Sequence, residues 1–173
     1  MNWDVDALAA RDLRLSGQIR GWVRGTAMRR AATVLAHSGD SLLWLGGAGA
    51  AWFLGAGVGR VVSLRIVGVM LVAGACSSLA KALIRRPRPD GARGRFYSNL
   101  DRHAFPSGHA TRVGALVMAL SPWLPWPGRV LFAGWAVAVC LSRVALGLHF
   151  VSDVAGGLVL GAVLGGGWAF LFG

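Results

Sequence analysis

"VSLRIVGVMLVAGACSSLAKALIRRPRP", Val62 to Pro89, decides what kind of protein this is. From Val62 to Ile84 the only charges are Arg65 near one end and Lys81 near the other; "RRPRP" then stops the run. About 20 apolar residues cross the hydrocarbon core of a bilayer as a helix, and this stretch is long enough. Working outward, comparable runs recur at roughly 41–58, 129–146 and 150–172. A weaker one, roughly 108–124, begins with polar residues and carries Arg112. The expected fold is therefore all-α: a polytopic membrane helix bundle with about five transmembrane helices.

Composition agrees. Over 173 residues the chain is 55% hydrophobic and only 14% charged, with a mean hydropathy of +0.56. That profile belongs to an integral membrane protein rather than a soluble one. Eight Trp and 26 Gly fit as well, since Trp gathers at membrane interfaces and Gly is common in membrane helices. In the turn "SPWLPWPGR" (121–129), Trp123 and Trp126 are placed at headgroup level. Gly157, Gly161 and Gly165 recur every four residues, so one face of the last span is open to a close neighbour.

Residues 1–40 differ from the rest. Val5, Leu8, Leu15, Ile19, Trp22 and Val23 alternate with Arg11, Arg14, Arg20 and Arg24, the pattern of one or two amphipathic helices lying on a membrane surface. No cleavable signal peptide is read there, because the segment has no continuous apolar core. The whole chain, 1–173, is read as a single domain with its transmembrane core over 41–173.

The net charge of +11 calls for an anionic partner. The apolar spans, and the lack of any helix-turn-helix, zinc-finger or RNA-binding signature, argue against nucleic acid. Anionic lipid and a phosphate-bearing substrate remain. Cys76 and Cys140 lie inside apolar runs and read as small packing residues.

The polar residues concentrate in a few places. "KALIRRPRP" (81–89) places Lys81 seven residues before Arg88 and Pro89. "PSGH" (106–109) opens the third span, and "SRVALGLHFVSD" (142–153) carries Arg143, His149 and Asp153 through an otherwise apolar stretch. Ionisable residues in such settings are functional-site candidates by default. Two crossings separate the 85–107 segment from the 146–150 connection, so all three stretches meet on one side.

Chemically they make a phosphate site with a nucleophile. Lys81, Arg88 and Arg143 are cationic donors for phosphoryl oxygens. Ser107 and Gly108 stand where a helix begins, and free backbone N–H groups there bind anions. His149 and Asp153 are four apart, hence one turn apart on one face of a helix, which suits a carboxylate orienting an imidazole. His109 is placed to protonate a leaving oxygen.

Together the three segments resemble the signature motifs of the type 2 phosphatidic acid phosphatase superfamily, whose active site is related to that of vanadium-dependent haloperoxidases. The resemblance implies that His149 attacks phosphorus to give a phosphohistidine and that Asp153 orients it. It implies that His109 protonates the leaving alkoxide and later activates water, while Lys81, Arg88, Ser107, Gly108 and Arg143 hold the phosphoryl oxygens. It implies no metal and no cofactor. The expected substrate is a polyprenyl phosphate or diphosphate, a prenyl-linked sugar phosphate, or a phosphatidate-type lipid. The small size and Arg-rich surface point to a prokaryotic cell membrane.

The alternative is a non-catalytic lipid-phosphate binding or transport protein using the same basic pocket; a vanadate-using oxidase is a more distant one. His37 and His103 fall on no motif position and are read as structural. Arg85, Arg86, Arg93, Arg95 and Arg102 are read as facing headgroups or gathering an anionic substrate. Six arginines in residues 1–35, against Arg60 and Arg129 in the loops across the membrane, place the site on the cytoplasmic side.

Overall fold

A computed structural model of the chain describes residues 5–89 and 103–172. Asp90, Arg93, Arg95, Asp101 and Arg102 lie outside the described residues. Among the described residues seven α-helices follow in order: α1 (Val5–Arg20), α2 (Thr26–His37), α3 (Ser41–Leu54), α4 (Val58–Ile84), α5 (Gly108–Leu120), α6 (Trp126–Ala145) and α7 (Val151–Phe172). A 3-10 turn, Ser121–Trp123, joins α5 to α6.

The amphipathic region is two helices. They part after Arg20, and Gly25 adopts a φ of 89° that a side chain would resist, so the chain turns there before α2. The span expected at 41–58 is shorter than its apolar run, because α3 stops at Leu54 and Gly57 turns with a φ of 54°. Among the described residues, only α4, α6 and α7 are long and apolar enough to cross a membrane by themselves. At 1.5 Å per residue, α3 and α5 reach about 20 Å, short of the ~30 Å hydrocarbon core. These two end at different signals: α3 at glycines, and α5 at the 3-10 turn, where Pro122 has no N–H to continue the helix.

Helix α5 is the centre of the bundle. Ala110, Val113, Ala115, Leu116 and Ala119 are fully buried, packed on one side by Val69, Met70 and Ala73 of α4. On the other side lie Ala136, Val139, Cys140 and Val144 of α6 and Val154 of α7. Lipid-facing positions stay apolar, among them Leu42, Phe53, Leu71, Leu83, Leu131 and Val163. Arg65, the charge near the far end of α4, is buried with its guanidinium 4.7 Å above the Trp123 ring.

The glycine stripe of α7 brings it against α5. A Cβ at Gly157 would lie 2.6 Å from the Ser107 carbonyl oxygen, at Gly161 2.2 Å from that of Thr111, and at Gly165 2.3 Å from that of Ala115. Any side chain there would force the two backbones apart. This contact sets the start of α5 beside the start of α7, where the Ser107 N–H donates to the Asp153 carbonyl at 2.9 Å.

Candidate active site

Four helix ends converge at one end of the bundle. Lys81 lies in the last turn of α4 and is buried; Arg85 follows in a left-handed conformation (φ 53°), ends the helix and turns the chain back towards the bundle. Ser107 is the N-cap of α5 and Gly108 its first residue. Arg143 is buried in the last turn of α6, His149 in the following turn, and Asp153 in the first turn of α7.

Around Gly108 the cationic donors close in. A Cβ built there would sit 3.5 Å from Lys81 Nζ and 3.4 Å from Arg112 Nη1, ordinary contact distances that show how near both cations lie to the start of the helix. The Ser107 Oγ is buried and has no hydrogen-bond partner among the described residues. Its carbonyl accepts from the Thr111 N–H and hydroxyl. A buried hydroxyl without a partner costs stability, and a phosphoryl oxygen would satisfy it.

His149 is 1% exposed, and its Nδ1 lies 3.6 Å from Oδ2 of Asp153, slightly beyond hydrogen-bond length. Such contacts often tighten only with substrate present. The pair does not come from a shared helical face, as the four-residue spacing suggests. His149 precedes α7 in a turn, and Asp153 folds back over it with Oδ2 accepting the Phe150 N–H at 2.8 Å. Burial, with Arg88 and Arg143 nearby, pushes His149 down to about 4, so the imidazole is neutral and nucleophilic at neutral pH. Arg88 Nη1 donates to the Leu148 carbonyl at 3.2 Å.

The other oxygen of Asp153 is held by Arg86, whose Nη1 donates to Oδ1 at 2.7 Å and to Ser152 Oγ at 2.5 Å. Arg86 Nη2 reaches Asp12 Oδ2 of α1 at 2.8 Å. Asp12 Oδ1 accepts the Ser152 N–H, and Ser16 Oγ accepts that of Val151, so α1 caps the first turn of α7 from outside. Burial raises the Asp12 carboxyl, but hydrogen bonds from Ser152 and Arg86 outweigh it and hold it below the usual carboxylate range. Beneath α1, a cavity of about 340 Å³ is lined by Ser16, Arg20, Arg88 and Phe150 among others.

His109 points elsewhere. Its Nε2 lies 2.6 Å from Oδ1 of Asp40, in the turn between α2 and α3, and Asp40 Oδ2 lies 2.7 Å from His37 Nδ1. Arg112 and Arg143 are near enough for their charges to act on the His109 ring.

With this geometry in view, the chain can be set against known proteins. The family model described as the PAP2 superfamily matches residues 62–172, which include every motif residue from Lys81 to Asp153. The chain belongs to the PAP2 superfamily.

Among PAP2 relatives, the decaprenylphosphoryl-5-phosphoribose phosphatase of Mycobacterium tuberculosis is 40% identical over 99 residues, 54% of this chain and 52% of that protein. The lipid A 1-phosphatase of Rhizobium johnstonii is 37% identical over 100 residues, 54% of this chain and 41% of that one. The chain thus spans about half the length of the curated relatives it matches. A solved structure, the transmembrane PAP2-type phosphatidylglycerolphosphate phosphatase from Bacillus subtilis, superposes with a TM-score of 0.72 at 27% identity. That likeness covers 96% of this chain and 84% of that one. Like these relatives, the chain is a multi-pass membrane protein.

Three features of this PAP2 site escape a reading of motifs. Arg86 does not face headgroups; it clamps Asp153, and its signal was no stronger than that of any arginine in "RRPRP". Arg112 is a charge in an apolar span, four residues after Gly108, a spacing that places it over the same end of α5. His37, read as structural, is joined to His109 through Asp40. That pairing spans 69 residues, and nothing local announces it.

Proposed function

We propose that this chain is a membrane lipid phosphatase acting through a phosphohistidine on His149. The observation that carries the reading is a buried, neutral imidazole whose Nδ1 faces Asp153, set among Arg88 and Arg143. Simple anion binding needs neither a nucleophile nor a carboxylate to orient it.

With Nδ1 turned to Asp153, Nε2 is the attacking atom. It bonds to phosphorus as the bond to the lipid oxygen breaks, and His109 gives that oxygen a proton. The lipid alcohol leaves. Water then attacks the phosphohistidine, His109 takes its proton, and inorganic phosphate departs with His149 restored. Lys81, Arg88, Arg143, the Ser107 hydroxyl and the Gly108 N–H hold the phosphoryl oxygens, where negative charge shifts during transfer. Arg112 joins this set because its guanidinium shares the approach to Gly108 with Lys81.

The substrate class is a lipid phosphate or diphosphate, with polyprenyl carriers favoured by the relative named for a decaprenyl-linked phosphoribose. The membrane is that of a prokaryotic cell, and the site faces the cytoplasm.

Purified protein in detergent should release phosphate from a panel of polyprenyl phosphates, polyprenyl diphosphates and phosphatidates. His149→Ala should retain less than about a hundredth of this turnover, because losing a covalent route costs several kcal/mol of barrier. Quenched wild-type enzyme should carry an acid-labile, base-stable phosphoryl label. Tight lipid-phosphate binding with no phosphate released would instead favour a binding protein.

A further inference from the structure

Asp40 stands at the N-cap of α3, where an aspartate ordinarily turns its carboxylate onto the helix's own free N–H groups. Here it makes no such bond. Both oxygens are committed to imidazoles, Oδ1 to His109 Nε2 at 2.6 Å and Oδ2 to His37 Nδ1 at 2.7 Å. Both distances are those of charge-assisted hydrogen bonds. The His109 contact, first, and that of His37 hold the Asp40 carboxyl at about 2, so it is fully ionised.

The corner that presents Asp40 is built rigidly. Trp44 Nε1 donates to the Ser38 carbonyl at 3.0 Å, and Trp135 Nε1 donates to Ser38 Oγ at 2.9 Å. Ser38 Oγ in turn donates to the Leu35 carbonyl. Gly39 is buried so closely that a Cβ would lie 2.8 Å from Val139. Helices α3 and α6 thus pin Ser38 and Gly39, the two residues before Asp40. Exposure rises outward along the chain of groups, from 12% for the His109 side chain to 31% for Asp40 and 54% for His37.

We propose that Asp40 is the positioning residue for His109 as general acid, with His37 bracing the carboxylate from the solvent side. The inference rests on the phosphatase reading above. Burial, and the charges of Arg143 and Arg112, all work against a proton on His109, and Asp40 is the carboxylate that opposes them. With Nε2–H held by Asp40, Nδ1 is the nitrogen that serves the substrate. In the first step Nδ1–H passes its proton to the departing lipid oxygen, leaving neutral His109 still bonded to Asp40. In the second, Nδ1 recovers a proton from the attacking water. No other donor or acceptor is needed for the balance.

The test uses leaving-group dependence. An alkyl lipid phosphate expels a strongly basic alkoxide and needs the acid; p-nitrophenyl phosphate expels a stable phenolate and does not. For Asp40→Asn, kcat/KM with the lipid phosphate should fall on the order of 100-fold, the lower range of general-acid contributions. With the aryl ester it should fall only a few-fold. His37→Gln should show the same pattern more weakly, and Asp40→Glu should recover part of the loss. Equal losses on both substrates, or none on either, would overturn the inference. If Asp40→Asn does not yield folded protein, the lipid-to-aryl ratio in Asp40→Glu and His37→Gln decides, and an unchanged ratio is again fatal. His149→Ala and His109→Ala keep the two readings apart. Retained turnover in the former, or an unshifted ratio in the latter, removes the phosphatase mechanism itself; expected behaviour there with an unshifted ratio in the Asp40 variants removes only the role of Asp40.

Discussion

Single residues in this protein are placed by pairings that the motifs do not describe. Arg86 is an example: one guanidinium joins Asp153, Ser152 and Asp12, and lies 4.5 Å over the Phe150 ring. Its planar fork spans two carboxylates, which a lysine would not do. Removing it leaves the fully buried Asp153 with one oxygen bare. Arg86→Ala should cost about 3 kcal/mol of stability, as for other broken buried ion pairs. It should also lower kcat and kcat/KM together, since Asp153 acts on His149 as charge develops. Thermal melting in detergent and steady-state kinetics check both, and Arg86→Lys should lie between. Normal kinetics in Arg86→Ala would mean that Phe150 alone orients the carboxylate.

Between helices, the decisive contact is the one with no side chains in it. Gly157, Gly161 and Gly165 let α7 lie directly on the backbone of α5, and the same seam carries the Ser107–Asp153 hydrogen bond. The phosphate cradle and the nucleophile's partner are therefore fixed by packing that begins below them. Gly161→Ala puts a carbon 2.2 Å from the Thr111 carbonyl oxygen, which belongs to the helix backbone and cannot swing away. Overpacking of this kind costs about 1–3 kcal/mol, and it should displace Ser107 and His109 as well. Gly134 on α6 has nothing within 4 Å and serves as control: Gly134→Ala should be neutral or slightly stabilising. Melting temperatures and kcat/KM of the two variants make the comparison; similar behaviour would show that α7 can retreat without disturbing the site.

For the whole molecule, the open matter is orientation. The ends of α4 and α6 that carry Lys81 and Arg143, the starts of α5 and α7, and the α1–α2 arm share one side. The connections at 55–57 and 121–125 share the other. From the arginine bias we propose that the first side is cytoplasmic. In a variant with Cys76→Ser and Cys140→Ala, a cysteine at Gln18 should resist a membrane-impermeant thiol reagent in intact cells. One at Ala56, exposed in the far connection, should react. The reverse pattern would place the site outside.

Much of this protein could be read directly from the order of its residues. Apolar length and periodicity follow local rules, so the all-α membrane bundle, the amphipathic arm and the small-residue face of α7 were legible before any contact was known. Lys81, Arg143, His149 and Asp153 stood out for a similar reason: charge inside apolar sequence is costly. Arg88 and Ser107–His109 stood out only through the motifs they complete. What stayed hidden were groups whose partners are distant in the chain. Arg86 sits among arginines that look alike until folding selects one, and Asp40 looks like a helix cap until α5 brings His109 to it. The ends of α3 and α5 sit at local signals, Gly55 and Gly57 after one and Pro122 after the other, which the apolar runs at 41–58 and 108–124 read straight through. Local sequence sets which segments leave water. Only their packing decides which polar groups leave with them, because a buried charge must find its counter-charge wherever the fold supplies one.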